Sequence, residues 1–168
     1  MRSQFVKLAI GSAAAAALSV VGVASAMAQK TGGELSFVVG SKIPSYDGHI
    51  ESTFGMIHPI RPFYSLLIRV NPENPSSPTD FVCDLCEGDL PAGEEGGTTY
   101  TFKIREGVRF HDGTPLTAAD ITATFNKIIV PPEGVVSLRQ AFFAMVDSVT
   151  APDATTVVFK LKFPSGAF

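Results

Sequence analysis

Two cysteines three residues apart, Cys83-Asp84-Leu85-Cys86, form the most reactive spacing in the chain. Such a pair can run thiol–disulfide exchange when a helix N-terminus lowers the pKa of one thiol, or it can be a structural pair. A redox pair normally sits in a βαβ setting, whereas here the proline-rich Asn71–Thr79 and the glycine-rich Pro91–Thr98 flank it. The structural reading therefore leads, with Cys83 and Cys86 a candidate disulfide. A small secreted thiol-disulfide oxidoreductase using both cysteines is the competing reading. Zinc would need two more ligands at matching spacing. His49, His58 and His111 form no ligand pair, so neither a metal nor a cofactor is expected. His111-Asp112 has the types of an acid–base pair, but Gly113 marks a turn, and Asp112 is expected to bond the backbone there. Glu94-Glu95 reads as solvated loop charge. No G-x-S-x-G, H-E-x-x-H, G-x-G-x-x-G or Walker A sequence occurs, and no catalysis is expected. The remaining candidates are Ser45 and Tyr46 in the loop Gly40–Gly48. A loop at a strand end is a common place for ligand contacts, and both side chains can donate a hydrogen bond.

These residues must be held by elements that the hydrophobic spacing predicts. Glu34–Val39 reads as a strand with Leu35, Phe37 and Val39 on one face. Ser52–Leu67 is mixed: Phe54, Ile57 and Ile60 fall near helical spacing, interrupted by Pro59 and Pro62, and Phe63–Val70 continues as a turn of helix and a short strand. Thr99–Arg105 alternates Tyr100, Phe102 and Ile104 with Thr101, Lys103 and Arg105, the period of a half-buried strand. Val108–Phe110 reads as a second short strand after the Glu106-Gly107 turn. Thr117 and Asp120 have capping-box spacing, and Ile121, Phe125 and Ile128 line one helix face until Pro131-Pro132 stops it. Gly134–Phe143 predicts a helical turn or two with Ser137 as candidate cap. Val146–Ala151 and Thr156–Phe163 read as strands joined by a turn at Pro152–Ala154, the second with Val157, Phe159, Leu161 and Phe163 on one side. The sum is a strand-rich α+β unit.

The 168 residues carry a net charge of −3, which argues against a nucleic-acid partner. Met1–Ala28 reads as a secretory signal: Arg2 and Lys7 lead an Ala-rich apolar run that ends in small-x-small sites at Ala24-Ser25-Ala26 and Ala26-Met27-Ala28. Its removal takes two basic residues and no acidic one, leaving −5. The mature chain is then expected outside the cytoplasm, where the cysteines meet an oxidising environment. The open edge of the last apolar strand predicts further chain to cover it.

The run from Thr99 to Ile121, T-Y-T-F-K-I-R-E-G-V-R-F-H-D-G-T-P-L-T-A-A-D-I, strongly resembles the family 5 extracellular solute-binding proteins, the dipeptide, oligopeptide and nickel-type binding components of ABC transporters. Gly33–Gly40 resembles the family's first strand, and Pro44-Ser45-Tyr46-Asp47 its P-x-S-L-D-P loop, with Tyr46 in place of Leu and Gly48 in place of the last Pro. Asp84-Leu85-Cys86-Glu87 is similar to D-L-A-E-S-W, with Cys86 at the Ala position and no Trp. Val146–Phe163 resembles the next strand pair. The resemblance implies part of lobe I of a two-lobed periplasmic binding protein (type II, cluster C-like), a β-rich subdomain with short helices, with residues 29–168 the N-terminal part of the family domain and the second lobe absent. It implies binding of a small solute, most simply a peptide, in the periplasm, and delivery to ABC permease subunits, peripheral to the membrane. Ser45 and Tyr46 would face the cleft, while the Thr99–Ile121 motif would be scaffold.

Overall fold

The alternating segment Thr99–Lys103 is strand β3, and its partner lies more than fifty residues downstream. A computed structural model of the chain describes residues 32–34 and 36–168. The predicted signal, Met1–Ala28, lies outside them. The chain divides into Met1–Val38 and Val39–Phe168. In the first unit the described residues are irregular. The strand expected over Glu34–Val39 is absent: Glu34 and residues 36–39 form no ladder, and Phe37 and Val38 are 57% and 98% exposed. Among the described residues this segment has no neighbouring strand to take its backbone hydrogen bonds, so its β-favouring composition alone does not make it a strand.

The second unit runs α1 (Phe54–Ile60), β1 (Ile68–Val70), β2 (Phe81–Cys83), β3 (Thr99–Lys103), α2 (Ala118–Ile129), a 3₁₀ turn (Gln140–Phe143), β4 (Val146–Asp153) and β5 (Thr156–Leu161). Strands β1 and β2 form an antiparallel pair, and β3, β5 and β4 form an antiparallel sheet in that order. The central strand β5 sets Phe159 between Tyr100 of β3 and Val149 of β4. Its two flanks are paired, so its inward residues can be apolar throughout, and Val157, Phe159 and Leu161 are buried.

Helix α2 covers the sheet with Ala118, Ile121 and Ile128 buried and Phe125 packed edge-on against Phe159, ring centroids 4.8 Å apart. Its start is the predicted capping box: the Thr117 N–H and hydroxyl both donate to an Asp120 carboxylate oxygen at 2.8 Å. The Ala118 N–H donates to Ala154 O and the Ile104 N–H to Thr155 O, so the β4–β5 turn pins both the helix start and the end of β3.

Several expectations are corrected. Val108–Phe110, expected as a second short strand, supplies only an isolated bridge and does not join the sheet of β3. It forms a small hairpin of its own, with a bridge between Arg109 and Pro115. Helix α1 forms despite Pro59, but it buries Met56 and Pro59 while Phe54 is 78% exposed, so the Phe54–Ile57–Ile60 face is not the buried one. Gly134–Phe143 contains only the four-residue 3₁₀ turn. Ser137 does not cap it, and its hydroxyl is enclosed without a partner. Phe163 lies past the end of β5 and is 55% exposed.

Candidate functional site

The loop Pro44–His49 is folded by its own short polar side chains. Ser45 Oγ accepts the Asp47 N–H at 3.0 Å, and Asp47 Oδ1 accepts the His49 N–H at 2.9 Å. Two successive side-chain-to-backbone bonds replace the ladder that an irregular loop lacks. Three elements of the unit then hold this loop. After α1, the Tyr64 hydroxyl donates to Tyr46 O at 3.0 Å. From α2, Lys127 Nζ donates to Asp47 Oδ2 at 2.9 Å. Ahead of the 3₁₀ turn, Arg139 Nε donates to Gly48 O at 3.0 Å.

Charge follows this geometry. The Lys127 ammonium, and next the His49 N–H, hold the Asp47 carboxyl below the usual aspartate range. Burial pushes the His49 imidazole down, and the Lys127 and Arg139 charges add to that against the opposing pull of Asp47. Tyr46 extends from this tethered backbone with 61% of its surface exposed, offering a ring face and a phenol. Ser45 is half-buried; its oxygen accepts from Asp47 while its own proton remains free to donate. The structure thus brings Ser45 and Tyr46 together with Asp47 of the same loop, with His49, weighed above only as a metal ligand, and with Lys127 and Arg139, which the sequence reading did not select. Lys127 and Arg139 stand 80 and 91 residues from their partners, and nothing in local spacing signals contacts of that range.

Cys83 and Cys86 are joined by a disulfide with Cα atoms 4.9 Å apart. Cys83 ends β2, not a helix N-terminus, so no dipole is aimed at either sulfur. Cys86 is 1% exposed and bridges to Ile104, linking the β1–β2 pair to the end of β3. This is the position of a staple between two sheets. His111 and Asp112 do not meet as an acid–base pair: Asp112 Oδ1 accepts from both the N–H and the hydroxyl of Thr114, which holds its carboxyl below the usual range. Glu95 is not merely solvated, because its carboxylate accepts the hydroxyl proton of the buried Thr99 at 2.8 Å. A shallow groove of about 360 Å³ lies beyond the end of α2, lined by Ile129, Gln140, Phe143, Val146 and Lys162 among others. Its polar groups are already engaged, Gln140 with Ile129 O and Lys162 with Ala144 O. Among the described residues no helix is long and apolar enough to cross a membrane.

Comparison with known proteins places this architecture. Residues 88–168 match the family model described as bacterial extracellular solute-binding proteins, family 5 Middle. The oligopeptide-binding protein AppA of Bacillus subtilis (strain 168) is 39% identical over 75 residues, 44% of this chain and 13% of AppA. The glutathione-binding protein GsiB of Escherichia coli (strain K12) is 36% identical over 74 residues, 44% of this chain and 14% of GsiB. The chain therefore aligns with about one-seventh of the length of these relatives. Among solved structures, B. subtilis AppA in complex with a nonapeptide superposes with a TM-score of 0.60 at 27% identity, over 70% of this chain and 22% of AppA. MoaA of A. tumefaciens R10 in complex with mannopinic acid gives 0.64 at 25% identity, over 74% of this chain and 24% of MoaA. The fold is that of part of a two-lobed periplasmic binding protein, a mixed sheet-and-short-helix segment. Residues 88–168, which hold the alternating strand, the capped helix and the strand pair that pins them, are thus similar to the family 5 bacterial extracellular solute-binding proteins.

Proposed function

We propose that this chain contributes scaffold and one edge of the binding cleft to the substrate-binding component of an ABC importer, which captures a peptide or similar solute in the periplasm and delivers it to membrane permease subunits. The observation that carries this reading is the family match over residues 88–168, coincident with β3, α2 and the β4–β5 pair. The relatives bind oligopeptides and glutathione by name, which favours peptidic solutes. In a two-lobed binder the solute bridges both lobes, and closure requires that it bind the closed state better than the open one. No step of bond making is called for, and the chain acts by binding. Ser45 and Tyr46 are the solute-facing residues, supported by the exposure of Tyr46 and by the three anchors on its loop.

Two experiments test this. A calorimetric titration of the chain alone with mixed di- and oligopeptides should show no micromolar binding, because one partial lobe lacks the facing contacts. Micromolar affinity would overturn the division of labour between lobes. Grafting residues 88–168 into the equivalent segment of B. subtilis AppA should preserve nonapeptide binding within about tenfold, equivalent to about 1.4 kcal/mol. A graft that folds but binds no peptide would contradict a scaffold role.

A further inference from the structure

One carboxylate, Asp47, fastens the segment Ser45–His49 to a cation on another element, and a second cation grips the backbone beside it. The charged groups around His49 are Asp47 on its own segment, Lys127 from α2 and Arg139 from the approach to the 3₁₀ turn, while the neutral phenol of Tyr64 reaches the adjacent backbone at Tyr46. The His49 side chain is 29% exposed, and its Nδ1 is enclosed with no hydrogen-bond partner, 3.8 Å from Asp47 Oδ1. A proton on this ring places a third positive charge beside Lys127 and Arg139, with a single carboxylate that Lys127 already occupies. We propose that Lys127 and Arg139 are positioning residues that fix the conformation of Ser45 and Tyr46, and that His49 is the proton-sensitive release of this latch, docked when neutral and loosened when charged. The inference rests on the reading of Ser45 and Tyr46 as solute-facing for its effect on binding, but the latch itself is measured without any solute.

The sign follows from linkage. Burial favours the neutral ring in the docked segment, whereas a released ring takes up a proton near the ordinary value of 6.5. The docked state therefore binds fewer protons, so docking is fully present above about pH 6.5 and weakens as the pH falls below it. Asp47 acts in the same direction further down. Its docked carboxylate stays ionised to lower pH than a free one, so the loss continues below the ordinary value of 3.8.

The Asp47 and His49 amides report the latch, because each donates to a side chain within the folded loop. Amide–water exchange measured by NMR on the full chain, corrected for the intrinsic pH dependence of exchange, should show their protection at pH 5.5 at least threefold below that at pH 7.5. Amides of the central strand β5 should show no such change. His49→Asn should abolish the pH dependence while leaving β5 as it was. Lys127→Met should lower protection at Asp47 and His49 about two- to fivefold at both pH values, the size of a part-exposed ion pair. Arg139→Gln should do the same, and it replaces Lys127→Met if that variant does not fold. The proposal is overturned if protection in the wild-type chain is flat with pH, if the slope survives His49→Asn, or if the cation variants that fold leave protection unchanged. Micromolar peptide binding by the chain alone, or loss of peptide binding in the AppA graft, would overturn the proposed function without altering any of these readings, so the two hypotheses fail separately.

Discussion

Phe159 and Phe163 occupy equivalent positions in the alternation of the last strand, yet their removal should have very different consequences. Phe159 is 1% exposed at the centre of the three-stranded sheet, with the rings of Phe102, Phe125 and Phe168 at centroid distances of 5.6, 4.8 and 5.4 Å. Phe159→Ala deletes a buried ring packed against three other aromatic rings. Such truncations cost about 3–5 kcal/mol, transfer and cavity together. A chain of this size loses roughly 4 °C of Tm per kcal/mol, so the expected drop is about 12–20 °C. Phe163 is 55% exposed and beyond the ladder, so Phe163→Ala should stay within about 0.5 kcal/mol, or about 2 °C. Far-UV circular dichroism melts and urea titrations of the two variants beside the wild-type chain, at one protein concentration, decide the matter. The pair serves as its own control, because both substitutions remove the same ring from positions only four residues apart. Equal shifts in the two variants, or a Phe159→Ala loss below about 1 kcal/mol, would refute the packing argument.

Further outcomes follow from other parts of the fold. Asp120→Ala removes the acceptor of both Thr117 donors and should cost about 1 kcal/mol in a urea titration, whereas Ala119→Ser one position earlier should cost a few tenths. Gly93→Ala places a methyl 2.9 Å from the Gly97 Cα and from the Tyr100 hydroxyl, so it should lower stability by about 1–3 kcal/mol, read as a shift of the urea midpoint with m unchanged. Reducing the Cys83–Cys86 bond releases a loop of very few residues, for which chain entropy gives only about 2 kcal/mol, so melts with and without reductant should differ by no more than about 8 °C at roughly 4 °C per kcal/mol. Hydrogen bonds from Thr155, and next from Thr156, hold the Asp153 carboxyl in the β4–β5 turn below the ordinary 3.8. Its contribution is present above that value and lost as the pH falls below it, so Asp153→Asn should flatten the acid limb of the stability profile between about pH 4 and 2.

Local spacing by itself determined much of the scaffold. The alternation of Thr99–Arg105 implies a one-sided strand whichever partner it takes, because successive side chains point to opposite faces. Thr117 and Asp120 imply a helix start because their side chains reach only across three residues of the same chain. The turn at Asp112 was legible for the same reason, since the Thr114 donors are two residues away. Tertiary structure decided everything that depends on a distant neighbour. Strand β3 pairs with β5 rather than with Val108–Phe110, and this choice buries Phe159 while Phe163 is left in solvent. Glu34–Val39 has strand composition, but its described residues lack a partner and remain irregular. The candidate site shows the same division. Ser45 and Tyr46 could be picked from their loop, but the Lys127 and Arg139 contacts that tether that loop span 80 and 91 residues. A backbone turn is a property of three or four consecutive residues. An ion pair across a fold exists only once α2 has been laid on its sheet, and no spacing in the chain encodes that meeting.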